Sequence, residues 1–274
     1  MTTNAMTKKD EAPKSVITNE LAALYDQHAG AGHDDLTQGD YALPFLRVLQ
    51  GLSPEIQRGN EKFIPGAQQG DLVHSITGEV FSGEKGVRLV RVAAEKKYIE
   101  WRPRKAGGGL VKIHDTPEDA ARNRIPAINN PDTDTEIIET GQIFCLIETG
   151  AGWQPIVLSL TKTKLKTGWR DWNAVTAEQT YQKWGVPSTR GKSPSDALPI
   201  FGFIYRLTTA SRTNPKGTFF VPVVDRSDIQ PASPALVKRA AEFRELIRRG
   251  KVAVKVERDD APVDDVPGDD VKGF

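Results

Sequence analysis

The run Val87-Arg-Leu-Val-Arg-Val-Ala-Ala-Glu-Lys-Lys-Tyr-Ile-Glu-Trp101 limits the fold more than any other part of the chain. It is rich in β-branched and aromatic residues and reads as one long, bent strand. Gln142–Thr149 and Trp153–Leu160, split by Gly150-Ala-Gly152, form a hairpin pattern. Pro199–Thr209 and Gly217–Val224, on either side of Asn214-Pro-Lys-Gly217, form a second. Phe45 to Leu49 suits a first strand, with a loop over Gly66–Asp71 and a turn at Ile76–Glu79. Strands do not alternate regularly with helices, which argues against a doubly wound parallel sheet. The expected fold is mainly β with added helices (α+β), built as an elaborated antiparallel barrel.

Helices are expected in three places. Thr116-Pro117 with Asp119 supplies a capping hydroxyl, a proline at the first helical position and an early acid, for a short helix ending near Arg122. A second stretch runs from about Thr163 to Trp184, broken near Asn173–Ala174. Ser233-Pro234 opens the last, which closes at Gly250. Leu236, Ala240, Phe243 and Ile247 form its apolar stripe. Residues 1–40 read as mostly disordered, apart from a short helix around Glu20–Gln27. Residues 41–250 are the folded body, and 251–274 a disordered acidic tail.

Charge is strongly segregated. The whole chain carries a formal +1, but residues 1–40 carry −4, residues 257–274 carry −5, and the remainder +10. A basic body with acidic ends predicts a polyanionic partner and an internal competitor for the same surface. The tail repeats acidic pairs at Asp259/Asp260, Asp264/Asp265 and Asp269/Asp270 and ends on Phe274. Pro262, Pro267 and Gly268 break any regular helix there. Such a segment suits docking, through Asp269, Asp270 and Phe274, into a basic-rimmed apolar pocket. No apolar run reaches membrane-spanning length, and the polar opening Met1–Asp10 does not read as a signal peptide. The single cysteine, Cys145, reads as a buried core thiol, and a cytoplasmic location follows as the expectation.

Two clusters carry candidate chemistry. Arg88, Arg91, Lys96, Lys97, Tyr98, Trp101, Arg102, Arg104 and Lys105 interleave cations with rings on one extended segment and its loop. Single-stranded nucleic acid suits this mixture, because cations follow phosphates and flat rings stack on any base. Against that stands packing of Tyr98 and Trp101 in a core. Lys162, Lys164, Lys166 and Arg170 gather at a strand-to-helix junction, where lysines and helix amides together favour anions. Trp169 and Trp172 share a helical face there with Leu165 and read as packing. Arg47 and Arg206 are further candidates.

Enzyme signals are weak. Gly185–Ser193 imitates a phosphate-binding loop but has the wrong spacing, no preceding strand, and Pro194 where a helix should start. Asp132, Asp134, Glu136 and Glu139 could hold a divalent ion as in a nuclease, although a solvated loop accounts for them as well. The histidines lack ligand spacing. No cofactor is expected.

In its Asp-rich tail ending on Phe274, the chain resembles bacteriophage single-stranded DNA-binding proteins of the OB-fold type. A broader likeness lies in Tyr41-Ala-Leu-Pro-Phe-Leu-Arg-Val-Leu-Gln50, Tyr98-Ile-Glu-Trp-Arg-Pro-Arg104 and Leu158-Ser-Leu-Thr-Lys-Thr-Lys-Leu-Lys166. The resemblance implies an OB-fold barrel enlarged by insertions and a non-enzymatic, sequence-tolerant binder of single-stranded DNA in phage replication or recombination. It also implies that the tail recruits a polymerase, helicase or primase, and it leaves homo-oligomerisation open. The alternatives are a strand-annealing recombination protein and a metal-dependent nuclease.

Overall fold

A computed structural model describes residues 43–103, 107–123, 135–161, 164–176, 199–215 and 217–252, with positions 24, 27 and 254. The expectations for residues 1–40, the 251–274 tail and the phosphate-loop imitation fall outside these residues, apart from those isolated positions and Lys251–Val252.

Nine strands form two antiparallel sheets among the described residues. The small sheet holds β1 (Leu46–Val48), β2 (Leu72–His74) and β3 (Val80–Phe81) in that order. The large one follows the path β7-β6-β4-β8-β9, with β4 at Val87–Trp101, β6 at Glu136–Thr149, β7 at Gly152–Thr161, β8 at Phe203–Asn214 and β9 at Gly217–Pro231. β5 (Leu110–His114) adds to the far end of β4. Every ladder is antiparallel, as hairpin connections require.

The long strand bends where its ladder slips. Leu89, Val90 and Arg91 pair with Ile147, Leu146 and Cys145, but the next partner, Phe144, faces Ala93. Val92 is therefore an extra residue, and such a bulge increases local twist. The two faces of this sheet meet different cores. Leu89, Ile143, Cys145, Ile156, Leu158, Tyr205 and Leu207 point into one, together with Leu46, Val48 and Leu72 of the small sheet. Val90, Val92, Phe144, Leu146, Val157 and Ile204 point into the other. The continuous apolar run Ile143–Ile147 is thus buried on both sides. Cys145 lies within it, and burial pushes its thiol up to about 12, far from a reactive thiolate.

The second core is covered by the last helix, α2 (Pro234–Arg248). A shorter one, α1 (Pro117–Asn123), precedes β6. Both start as the sequence dictates: the Thr116 hydroxyl accepts from the Asp119 amide at 3.0 Å, and the Ser233 hydroxyl from the Leu236 amide at 3.3 Å. Leu236, Ala240 and Phe243 are buried under α2 and Ile247 is partly so. Phe243→Ala is expected to cost about 3–5 kcal/mol, read as a shift in the urea midpoint. A shift no larger than that of an exposed-site control would mean that α2 is not seated on the sheet.

No ladder joins β7 to β9 among the described residues, so the sheet is open where a barrel was expected to close. The chain around β1 spans the two outer strands instead. The Val157 amide of β7 donates to the Pro44 carbonyl at 2.9 Å, and Phe45 bridges to Val157 in parallel. At the other end, the Gln50 side chain acts as a strand surrogate. Its Nε2 donates to the Phe220 carbonyl of β9, and its Oε1 accepts from the Phe220 amide, both at 2.9 Å. Gly83 fastens the small sheet to β8 as well. Its carbonyl accepts from the Thr209 amide at 2.9 Å, and a Cβ there would strike the Gly70 carbonyl.

The stretch after β7 is helical, but it opens with a π-helical segment, Leu165–Arg170, and runs on to residue 176 without the break expected near Asn173–Ala174; positions 177–184 of that expectation lie outside the described residues. Leu165, Trp172 and Val175 enter the first core. Gly141 and Gly168 permit the approach: a Cβ on Gly141 would lie 2.7 Å from the Trp169 ring, and one on Gly168 would lie 2.9 Å from Leu160.

Candidate nucleic-acid interface

Many of the expected cations are ion-paired. Arg47 pairs with Glu55, Arg88 with Glu148 at 3.1 Å, and Lys96 with Glu139 at 2.6 Å. Lys97 meets Asp115 at 2.8 Å and Glu95 at 3.4 Å. Arg206 meets Asp228 at 2.5 Å and also donates to the Lys85 carbonyl at 3.4 Å. These carboxylates lie mostly across the ladder, so strand register creates the pairs.

Titration follows these contacts. Burial alone would lower the Lys97 ammonium, but its hydrogen bond to Asp115 and the charges of Glu95 and Asp115 outweigh that and raise it. Asp115, hydrogen-bonded to Lys97, is held below the ordinary carboxylate range. Exposed pairs of this kind contribute about 0–1 kcal/mol. A phosphate can therefore replace the carboxylate at little cost.

The expected rings divide. Trp101 is 6 % exposed and lies in the interior, so it packs instead of offering a stacking face. Tyr98 is half-buried, opposite Glu139 on the neighbouring strand. Arg91 is 5 % exposed and points into the fold with Leu89, two positions earlier on the same strand face. Arg102 and Arg170 are exposed, and Lys164 is half-buried. Arg104, Lys105, Lys162, Asp269, Asp270 and Phe274, with Asp132 and Asp134, lie outside the described residues, as does the side chain of Lys166. Glu139, one of the acids considered for a metal, is the partner of Lys96.

The two clusters meet at Trp169. The Lys96 ammonium lies 6.0 Å from its ring centre and the Arg91 guanidinium 5.7 Å. Gly141 supplies the gap in β6 that admits the ring. A half-buried indole flanked by two cations, with Tyr98 two residues along the strand, combines an aromatic surface with positive charge.

Two further cations were not singled out from sequence. Lys112 is exposed on β5, and Arg212 is exposed on β8 directly opposite Phe219 of β9. Their signals were the Gly107–Gly109 run before β5 and the Asn214–Gly217 turn beside Arg212.

A buried polar cluster fixes the end of β4. Glu100 accepts from the Thr135 hydroxyl at 2.5 Å and faces His114 Nε2 at 2.9 Å, while His114 Nδ1 faces Asp119 at 3.2 Å. It ties β5, α1 and the start of β6 to one strand end, below the glycine-rich loop.

The model of one protein family, Pam3 phage gp34-like protein, matches residues 13–253. No curated protein and no solved structure matches the chain. Among the described residues, no helix is long and apolar enough to cross a membrane.

Proposed function

The chain belongs to the Pam3 phage gp34-like protein family, and on that premise we propose that it is a non-enzymatic, sequence-tolerant single-stranded DNA-binding protein of phage replication or recombination. The observation that carries the reading is the half-buried Trp169 ring, with the exposed Lys96 ammonium 6.0 Å from its centre and exposed Arg170 next to it in the chain. Cations beside a ring can hold a phosphate while a base stacks, whatever the base.

The strand path supports the same reading. Counted from β4 and leaving β5 aside, the large sheet runs 3-2-1-4-5, with helical residues between the third and fourth strands. This path is compatible with a partly open OB-type barrel, a fold that binds oligonucleotides over its second and third strands and through the loops after its first and fourth. Here those strands are β6 and β7. The connection after the first carries Arg102 and, on β5, Lys112, and the turn after the fourth lies beside Arg212. The acidic 257–274 segment competes for this surface and, once displaced by DNA, docks onto a polymerase, helicase or primase.

A gel shift of labelled oligo-dT and of duplex DNA across a salt series tests the proposal. The expected result is retention of the single strand at lower protein concentration than the duplex, weakening steeply with salt. No shift of oligo-dT in dilute buffer would sink it.

A further inference from the structure

Arg91 presents an unsolved electrostatic problem. Its guanidinium is buried between two indoles, 5.7 Å from the Trp169 ring centre and 5.5 Å from that of Trp172. One nitrogen donates to Asn173 Oδ1 at 2.6 Å. No carboxylate among the described residues meets it; the neighbours that bear on its charge are Cys145 and Tyr205, and burial dominates, lowering its affinity for the proton. Among the described residues, neither the Nε–H of Arg91 nor the Nε1–H of Trp172, a residue 1 % exposed, has a hydrogen-bond partner. Two unmade donors and a cation without a carboxylate therefore share this interior, with the guanidinium over the Trp172 ring. A buried charge without a counter-ion and a buried donor without an acceptor both cost stability.

The two flanking rings do not remove this deficit. They stabilise the cation through their faces but offer no acceptor in the plane where the Nε–H points. An acceptor carrying negative charge would satisfy all three groups together. Arg forks and indole N–H groups bind oxyanions well, and the Arg fork fits the oxygens of a phosphate. Trp169 gives the site a way out: the same half-buried ring that touches Arg91 on the interior side lies near exposed Lys96.

We propose that Arg91 and Trp172 Nε1 form an oxyanion site for a phosphate monoester, seated between β4 and the helical stretch after β7, with Trp169 between it and exposed Lys96. An internal phosphodiester is flanked by nucleotides on both sides and cannot enter a site buried this far; a terminal phosphate can. The choice of a strand end as its source rests on the DNA-binding reading above, whereas the site itself does not.

The test uses the full chain and inorganic phosphate alone, followed by tryptophan fluorescence, since two of the rings lie against the guanidinium. The expected result is a saturable change that disappears in Arg91→Met. Trp172→Phe keeps the ring face but loses the donor, and should weaken phosphate by about tenfold with unchanged far-ultraviolet circular dichroism. No saturable response in the unaltered chain, or equal affinity in both variants, overturns the site and leaves water as its occupant. Oligo-dT with a 5′-phosphate is then compared with the 5′-hydroxyl form. A preference of about tenfold for the phosphate identifies the strand end as source. Equal binding of the two forms, with the response to inorganic phosphate retained, identifies the free anion. Should neither oligonucleotide bind while phosphate does, the DNA-binding proposal fails and the anion site stands.

Discussion

Alanine at Lys162, Lys164, Lys166 and Arg170 is expected to lower affinity for oligo-dT by about a hundredfold at low salt and to flatten the salt slope by roughly three. The slope change follows from counterion release, because each lost phosphate contact on a single strand removes about 0.7 from it. Arg88, Lys96 and Lys97 already face carboxylates, so DNA gains there only by exchanging one anion for another. Arg170 is exposed beside Trp169, and the junction stands where the two clusters meet. The loss should be equal on oligo-dT, oligo-dC and oligo-dA, because phosphates carry no sequence information. A loss confined to one base would mean that these side chains read bases, and the sequence-tolerant proposal would fail.

Removing residues 259–274 should act in the opposite direction, tightening oligo-dT binding by about tenfold in dilute buffer. The segment 257–274 carries −5 and residues 41–256 carry +10, and a tether keeps the two at high effective concentration. Deletion should also steepen the salt dependence, since salt weakens the internal competitor as well as the DNA contacts. Above roughly 0.1 M salt, screening over about 10 Å should bring the two forms together. Unchanged or weaker binding after deletion would refute self-competition without touching the DNA-binding surface itself.

What the sequence disclosed was mostly local. The bent strand, both hairpins and the capped helix starts depend on residues close together, and each is present. The hairpin of β8 and β9 runs longer than expected, to Pro231, because the bases of both strands are held by core residues Phe203, Tyr205 and Ile229. β2, β3 and β5 were not legible. The first two are three and two residues long, and β5 exposes Leu110 and Ile113, so its pattern lacks a clear buried face. It is a strand because β4 offers it a partner.

The site was legible in composition but not in pairing. Lys96 and Glu139 are brought together by the β4–β6 register, and Arg206 and Asp228 by the hairpin of β8 and β9. Period-two alternation did put Arg91 on the face of Leu89, yet arginine is so rarely interior that solvent was the natural expectation. Only the meeting of Trp169 and Trp172 around it accounts for its burial.

The surrogate strand made by Gln50 has a consequence for how the molecule matures. Its amide meets Phe220 across 170 residues, so this contact cannot form during synthesis until Phe220 has left the ribosome. The same holds, less severely, for Thr209 reaching back 139 residues to Gly70. The earliest-made strand must therefore wait, with Leu46, Val48 and Leu72 still wet, for the latest. Long waits of this kind slow folding, because closure entropy is spent before any distant contact rewards it.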